Sequence, residues 1–302
     1  MMPPVGRRPE PPSRGKLARR RAAAAAVLLV TAAIVLAVVL LAGRGGSSSP
    51  TTTAAAPPPP PLRIVFPEGF TRREMAARIT AVDAIARRKR HIRPLLSRSA
   101  YLALTASSLR PARFAGDRKR RSLEGFLFPA TYDFDRTTTT QQFVQEQLQA
   151  FDENWAKLDL AYARSKHLTR YDVLIIASMV EKEALAPDDR PKIAAVIYNR
   201  LKLGMPLGID ATLRYGLDIP GTQSIRQSQL ESDSPYNTRK LTGLPPTPIA
   251  NPGLASLQAA AHPAHVDYLY FVREPDKVHH FFTASYRAFL NYANAHGYAP
   301  GR

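Results

Sequence analysis

The chain has 302 residues, of which 45% are hydrophobic, a formal net charge of +18 at pH 7 and no cysteine. This length suits one ordinary domain with appendages. The absence of cysteine excludes disulfides, thiol catalysis and cysteine metal sites. Nearly all of the net positive charge lies in residues 1–21 and 84–121, so the basic character is local to two segments.

Residues 22–41 form an uncharged apolar run, AAAAAVLLVTAAIVLAVVLL. A membrane-spanning helix needs about 20 such residues. Since basic residues stay on the cytoplasmic side, we predict a cytoplasmic tail (1–21), a single transmembrane helix (22–43) and an extracytoplasmic remainder. A cleaved signal peptide is the alternative, although its apolar core is normally shorter. This topology, together with the lack of an aromatic-interleaved basic motif, argues against nucleic acid as a partner.

Residues 44–61 are rich in Ser, Thr and Pro and predict a linker. Its Ser/Thr/Ala part is expected to be flexible, and its final run of prolines is expected to be extended and stiff. The following stretch, LRIVFPEGFTRREMAARI, predicts a strand, a turn and a helix. Thr71 and Glu74 have the spacing of a capping box at the start of that helix. We therefore predict a small β-turn-α module that runs into a basic helical segment ending at residue 121. That segment is either a solvated face or a contact for anionic lipid headgroups or wall polymers.

A main domain is predicted over residues 122–302. LEGFLFPATYDF (123–134) and YLYFV (268–272) have strand composition. A capping box at Thr169 starts a helix whose apolar run, VLIIASMV, predicts burial on all sides. Further helices are predicted at 137–158, 190–204 and 254–261. Helices and strands mix without regular alternation, which favours an α+β fold.

Two glutamates, Glu181 and Glu183, follow the apolar run of that helix. Desolvation there would raise a carboxyl pKa, which suits a general acid. At about 100° per residue the two side chains diverge by about 200°, so they cannot share one face. Either one of them faces a cleft, or both form the solvated end of a core helix. The pattern leaves both interpretations open.

Turn-rich stretches after this helix carry hydrogen-bonding side chains, and such loops often hold binding groups. Each residue alone is more often a turn former or a cap. His262 and His265 have a spacing that metal ligands use on helices, but Pro263 between them disrupts a helix. We predict no metal site and no cofactor. The hydrogen-bonding residues are Asn199, Asp210, Thr212, Tyr215, Tyr236, Asn237, Thr238 and Asn251.

Seven motifs occur in one order that resembles the MltG/YceG-like endolytic murein transglycosylases. They are PEGFT, LEGFLFPATY, ASMVEKEA, VIYNRL, GMPLGIDATLRYG, SPYNTRKLTGLPPTPIANPGLASLQAAAHPA and YLYFV. The similarity covers most of residues 62–283. The resemblance implies a single-pass protein of the cytoplasmic (inner) membrane, with a LysM-like module and a mixed α+β catalytic domain that faces the wall.

The resemblance also implies a reaction and a site. Its substrate is the peptidoglycan glycan strand, cleaved internally at the β-1,4 bond between N-acetylmuramic acid and N-acetylglucosamine. The product has a 1,6-anhydro-muramic end, so the enzyme is a lyase that limits strand length. Glu181 matches the family's catalytic glutamate, with Glu183 as the second choice. The residues implied in substrate binding are Asn199, Asp210, Thr212, Tyr236, Asn237 and Asn251.

The sequence departs from the family in having one PEGFT unit where many members have two LysM-like segments. Wall binding through this module is therefore in doubt. Membrane lipid is an expected partner, and peptidoglycan synthases or division proteins are further expected partners. The alternative functions are a non-catalytic wall-binding or division scaffold and a metal-dependent wall amidase or peptidase.

Overall fold

A computed structural model describes residues 62–106, 111–114 and 121–298, which belong to one compact unit, Pro60–Arg302. The predicted cytoplasmic tail, transmembrane helix and linker lie outside the described residues. Within the described ranges, the helices are all too short or too polar to cross a membrane.

The described residues form a mixed α+β structure, as the sequence predicts. The strands are β1 (Leu62–Val65), β2 (Thr131–Phe134), β3 (Tyr270–Arg273) and β4 (His280–Thr283). The α-helices are α1 (Arg72–Arg90), α2 (Arg98–Ala106), α3 (Thr140–Trp155), α4 (Ala161–Ser165), α5 (Arg170–Glu183), α6 (Arg190–Lys202), α7 (Asp210–Gly216), α8 (Gln227–Leu230), α9 (Leu254–Ala261) and α10 (Tyr286–Ala295). Short 3-10 helices occur at Ala112–Phe114 and Pro187–Asp189.

The strands pair as two antiparallel ribbons. Strand β1 pairs with β2, with Ile64 opposite Tyr132, and β3 pairs with β4, with Phe271 opposite Phe282. Because β1 comes from the start of the described chain and β2 follows the 121/122 boundary, the first ribbon joins the predicted module to the predicted catalytic domain. The division into domains stays a prediction, but the two segments share this sheet.

Helix α1 starts at the predicted capping box. The Thr71 side chain accepts from the Glu74 N–H, and the Glu74 carboxylate accepts from the Thr71 N–H. This satisfies two of the N–H groups that a helix start leaves without intrahelical partners. Met75 and Ile79 then fall on the buried face, in the same core cluster as Phe143 and Leu174.

Helix α5 is the centre of the fold. Each residue from Val173 to Val180 is buried, so the helix packs on all sides, as predicted. Its neighbours are α6, α7 and α9. Thr169 and Asp172 form the predicted capping box at its start. The last turn, which holds Glu181 and Glu183, emerges from this packing and reaches the surface.

The predicted strand at 123–134 is much shorter in the structure. Only Thr131–Phe134 is a strand, and a turn occupies the segment that contains Gly125. Gly125 has a φ of +89°, and a Cβ there would lie 2.7 Å from Pro248. The tight approach of the 245–250 loop therefore forces a turn where the aromatic composition suggested a strand.

We predict that Met75→Ala destabilises the whole unit by about 2–5 kcal/mol, the usual cost of truncating a core methionine. Met75 is fully buried, and Ile85 on the same helix is 46% exposed, so Ile85→Ala is the matched control and should cost under about 0.5 kcal/mol. The measurement is urea unfolding of the full-length protein, followed by circular dichroism and by fluorescence of Trp155, the single tryptophan.

Both probes should give one coincident transition, because α1 shares the core of α3 and α5. A separate early transition seen by circular dichroism in Met75→Ala, with the Trp155 signal unmoved, would mean that residues 62–121 fold as an independent module.

Candidate active site

The two glutamates at the end of α5 point to different surroundings. Glu181 Oε2 accepts a hydrogen bond from the Gly253 N–H at 3.0 Å. Gly253 is the N-cap of α9, where a carboxylate is favourable for the helix dipole. Next to it, Lys182 Nζ donates to the Gly69 carbonyl at 3.2 Å. Glu181 therefore ties α5 to α9, close to the turn between β1 and α1.

Glu183 lines two adjoining cavities, which we treat as the two arms of one groove. The first arm has a volume of about 860 Å³ and runs beside the start of α1, α7 and the 216–221 turn. The second arm, about 390 Å³, lies beside β3 and α10. Glu183, Asp210 and Arg273 line both arms, so these three residues mark their junction.

The groups around Glu183 set its ionisation. Burial, and then the like charge of Asp210, raise the pKa of Glu183 to about 7. The guanidinium of Arg273 and a hydrogen bond from the Ala211 backbone N–H act in the opposite direction. Arg273 Nη2 also donates to the Glu183 carbonyl at 3.3 Å, which holds β3 against the end of α5. Glu183 is therefore half-protonated near neutral pH, with a cation and an N–H ready to stabilise its anion.

Asp210 starts α7 and lies at this junction. Its carboxylate contacts Arg239 Nε at 2.6 Å. Both side chains are partly exposed to the groove, so the pair adds little to stability. The charge of Asp210 raises the pKa of Glu183, because a nearby negative charge disfavours the ionised form of a second carboxyl.

A second buried carboxyl, Glu124, lines the first arm. It is 2% exposed, and burial raises its pKa to about 7. Glu124 Oε1 accepts from the Arg72 N–H and from Asn251 Nδ2, each at 2.9 Å. Glu124 Oε2 accepts from the Tyr215 hydroxyl at 3.1 Å. Glu124 is not among the predicted site residues, although a single charge inside the aromatic LEGFLFP motif is a signal of the same kind as the glutamates after the apolar run of α5.

The structure separates the predicted substrate-binding residues into two groups. Asp210 and Tyr236 line the groove, and the Tyr236 hydroxyl pairs with Thr247 Oγ1 at 2.7 Å. Asn199, Thr212, Asn237 and Asn251, like Glu181, line neither arm.

The four residues outside the groove hold loops together through their side chains. Asn199 Nδ2 donates to the carbonyls of Val266 and Tyr268. Thr212 Oγ1 donates to the Ile209 carbonyl and lies 2.9 Å from Thr238 Oγ1. Asn237 Nδ2 donates to the carbonyls of Leu230 and Ser232. These side chains support the walls of the groove from behind.

Asn251 is the most connected of them and is fully buried. Its Oδ1 accepts from the N–H groups of Gly125 and Leu127, at 2.9 and 3.0 Å. Its Nδ2 donates to the Phe70 carbonyl and to Glu124 Oε1, each at 2.9 Å. One amide thus satisfies four groups on two segments and holds Glu124 in place.

The described residues contain no group of three or more His, Asp or Glu side chains placed to hold a metal ion. His262 ends α9, and neither it nor His265 lines the groove. The three side chains at the junction supply two carboxyl groups and one guanidinium group.

The comparisons with known proteins agree with the resemblance in the sequence. The family model of the YceG-like family matches residues 49–295, and the chain belongs to this family. A crystal structure of a yceG-like protein from Listeria monocytogenes matches with a TM-score of 0.63 and 32% identity. That match covers 77% of this chain and 76% of the other, and it supports the α+β fold.

Two curated relatives carry the name endolytic murein transglycosylase. The one from Bacillus subtilis (strain 168) is 40% identical over 153 residues, which are 51% of this chain and 42% of the relative. The one from Streptococcus pneumoniae (strain ATCC BAA-255 / R6) is 40% identical over 171 residues, 54% of this chain and 30% of the relative. The matched part of the chain spans less than half the length of either relative.

We predict that Asn251→Ala lowers the free energy of unfolding by at least about 3 kcal/mol, because it leaves the buried N–H groups of Gly125 and Leu127 without a partner and removes one of the hydrogen bonds to the buried Glu124 carboxyl. Asn291→Ala, at an exposed position on α10, is the matched control and should change it by under about 0.5 kcal/mol. Urea unfolding of the full-length protein measures both. Equal, small effects in the two variants would show that the Asn251 network does not hold the groove wall.

Proposed function

We propose that this protein is a lytic transglycosylase that cleaves peptidoglycan glycan strands internally and leaves 1,6-anhydro-muramic ends. The support comes from membership of the YceG-like family and from relatives named endolytic murein transglycosylase. The observation that carries the proposal is the position of Glu183, a carboxyl of raised pKa at the junction of a two-armed groove.

In the proposed reaction one carboxyl acts twice. Glu183 donates its proton to the glycosidic oxygen while the bond from that oxygen to muramic C1 breaks and an oxocarbenium-like centre forms. The Glu183 carboxylate then takes the proton of the muramic 6-hydroxyl, whose oxygen closes onto C1. The proton returns to Glu183 and no water is consumed. Glycosidases that hydrolyse the bond normally use two carboxyls, whereas this intramolecular closure needs one.

The neighbours of Glu183 suit both halves of this cycle. Before the first step, burial and the charge of Asp210 keep the carboxyl protonated. After it, the Arg273 guanidinium and the Ala211 N–H stabilise the carboxylate. A general acid works best when its pKa lies near the working pH, and a value of about 7 meets that condition.

The proposal moves the catalytic role from Glu181, the choice favoured by the resemblance, to Glu183. Glu181 is hydrogen-bonded to the N-cap of α9 and lines neither arm of the groove. Glu183 lines both. The helical geometry predicts that only one of the two can face the groove. Glu181 is already hydrogen-bonded to the N-cap of α9.

The groove also suits cleavage within a strand. Sugars can lie in both arms, one on each side of the junction, as an internal bond requires. The first arm carries polar and charged side chains such as Arg72, Arg73 and Arg214. The second arm carries the aromatic rings of Tyr270, Tyr286 and Phe289. Stacked aromatic rings and hydrogen-bonding side chains are the groups that orient sugars.

We extend the proposal to the location of the enzyme. The apolar run at 22–41 and the basic tail before it support a single-pass anchor with an extracytoplasmic catalytic domain. In this arrangement the membrane lipid holds the enzyme beside newly made glycan. The basic end of α1, which contains Arg87, Arg88, Lys89 and Arg90, supports contact with anionic headgroups or wall polymers.

We predict that Glu183→Gln abolishes the formation of anhydro ends, with a loss of at least about 1,000-fold in kcat, because an amide is too weak an acid to protonate the glycosidic oxygen. Glu181→Gln is the matched control. It keeps an oxygen for the Gly253 N–H and should retain activity within about threefold. The assay incubates the full-length protein with uncrosslinked glycan strands and analyses the products by mass.

The reverse pattern, with Glu181→Gln inactive and Glu183→Gln active, would return the catalytic role to Glu181. Reducing ends without anhydro ends would identify a hydrolase, and cut peptides would identify an amidase or peptidase.

We also predict that kcat/KM falls about tenfold per pH unit above about 7, since the reaction needs protonated Glu183 and its pKa is about 7. Asp210→Asn removes the like charge, so the pKa of Glu183 should drop and the falling limb should move to lower pH. Asp210 is not among the charges that shift the pKa of Glu124, so the movement reports on Glu183. A limb that stays in place in Asp210→Asn would exclude Glu183 as the titrating acid.

A further inference from the structure

Glu124 is a buried carboxyl on the groove wall that the proposed reaction does not use. Burying a carboxyl is unfavourable unless its oxygens are hydrogen-bonded. Here both oxygens are bonded, and the two partners of Oε1 are rigid. One is the Arg72 N–H at the start of α1, and the other is the Asn251 amide. Because Asn251 already holds three other groups, it cannot turn away.

The remaining oxygen of Glu124 faces a side chain in the groove. Oε2 accepts from the Tyr215 hydroxyl at 3.1 Å. Tyr215 lies on α7, the helix that begins with Asp210 at the junction, and it lines the first arm. Its ring packs against that of Tyr236, with centroids 5.3 Å apart. The direction of the Tyr215 hydroxyl is therefore set by Glu124 and its ring plane by Tyr236.

A hydroxyl that gives its proton to a carboxylate keeps its lone pairs for another donor. With Glu124 ionised, the Tyr215 oxygen is therefore an acceptor. The Thr247 hydroxyl beside it uses part of this capacity, and the rest faces the first arm. Glycan offers matching donors, namely the N–H of an acetamido group and sugar hydroxyls. This step rests on the function proposed above, because it takes the occupant of the groove to be glycan.

We propose that Glu124 is a positioning residue that fixes the Tyr215 hydroxyl as a hydrogen-bond acceptor for the glycan in the first arm of the groove. Tyr215 touches the substrate, and Glu124 acts through Tyr215. The pair contributes to binding and not to the proton transfer at Glu183.

The ionisation of Glu124 decides the conditions of the test. Burial raises its pKa to about 7, opposed by its hydrogen bonds and by the Arg72 guanidinium, while the charge of Glu74 raises it further. At pH 8 Glu124 is mostly ionised and Tyr215 is an acceptor. At lower pH a protonated Glu124 can donate to Tyr215 and reverse its polarity. Binding is therefore measured at pH 8.

The experiment uses full-length protein with Glu183→Gln as the inactive parent and measures the Kd for uncrosslinked glycan strands. Adding Glu124→Gln or Tyr215→Phe should each weaken binding about tenfold, the range for one hydrogen bond to a charged group. The two changes together should be no worse than either alone, because they break one linkage. In the active enzyme each change should raise KM and leave kcat within about threefold.

Tyr132→Phe is the matched control. It removes another tyrosine hydrogen bond, from its hydroxyl to the Phe128 carbonyl, and it lies outside the groove. It should leave the Kd unchanged. Circular dichroism and Trp155 fluorescence verify that each variant is folded, and Tyr215→Phe, which keeps the ring, tests the linkage if Glu124→Gln does not fold.

Unchanged binding in Tyr215→Phe, or additive losses in the double variant, overturns the proposal. So does a fall in kcat at constant KM. If wild-type protein forms anhydro ends while the variants bind normally, only the role of Glu124 fails. If binding weakens as expected while wild type forms no anhydro ends, the lytic function fails and the positioning role stands. A parent that binds no strand contradicts both.

Discussion

The burial of α5 on every side is the constraint on which the rest of the structure depends. A helix enclosed by α6, α7 and α9 cannot rotate, so the two carboxylates of its last turn have fixed and opposite directions. One of them is bonded to the start of α9, and the other meets Asp210 and Arg273 at the junction of the groove. The same packing that stabilises the fold thus directs the two glutamates to different surroundings.

The groove wall opposite this helix is built from segments far apart in the chain. Asn251 joins the turn before α1 to the LEGF turn, and Glu124 adds α7 to the same network. Such a network is rigid because each buried polar atom has a hydrogen-bond partner. If one partner is lost, the atoms it bonded stay buried without a hydrogen bond, which costs the full desolvation free energy. Its rigidity allows a hydroxyl on the wall to be held in one direction for a substrate.

Local hydrogen bonding made the helix starts predictable, since the capping boxes at Thr71 and Thr169 depend on residues three apart. The burial of α5 was equally predictable from its apolar run. The different surroundings of Glu181 and Glu183 were not, because the hydrogen bond that holds Glu181 comes from Gly253, about 70 residues further along the chain. The strand expected at 123–134 is shortened at its start for a similar reason, the close approach of Pro248 to the turn at Gly125. Of the polar residues expected in turn-rich stretches, Asn199, Asp210 and Thr212 lie on helices. Most of the predicted binding residues hydrogen-bond other parts of the chain and do not line the groove.

The central claim is that glycan crosses the junction with its scissile bond at Glu183. A crystal structure of the Glu183→Gln variant with a bound uncrosslinked glycan strand tests it most directly. The account predicts sugars in both arms, with the side chain of residue 183 about 3 Å from a glycosidic oxygen. A strand seated beside Glu181 and Gly253, or sugars confined to one arm with no glycosidic oxygen near residue 183, would contradict it.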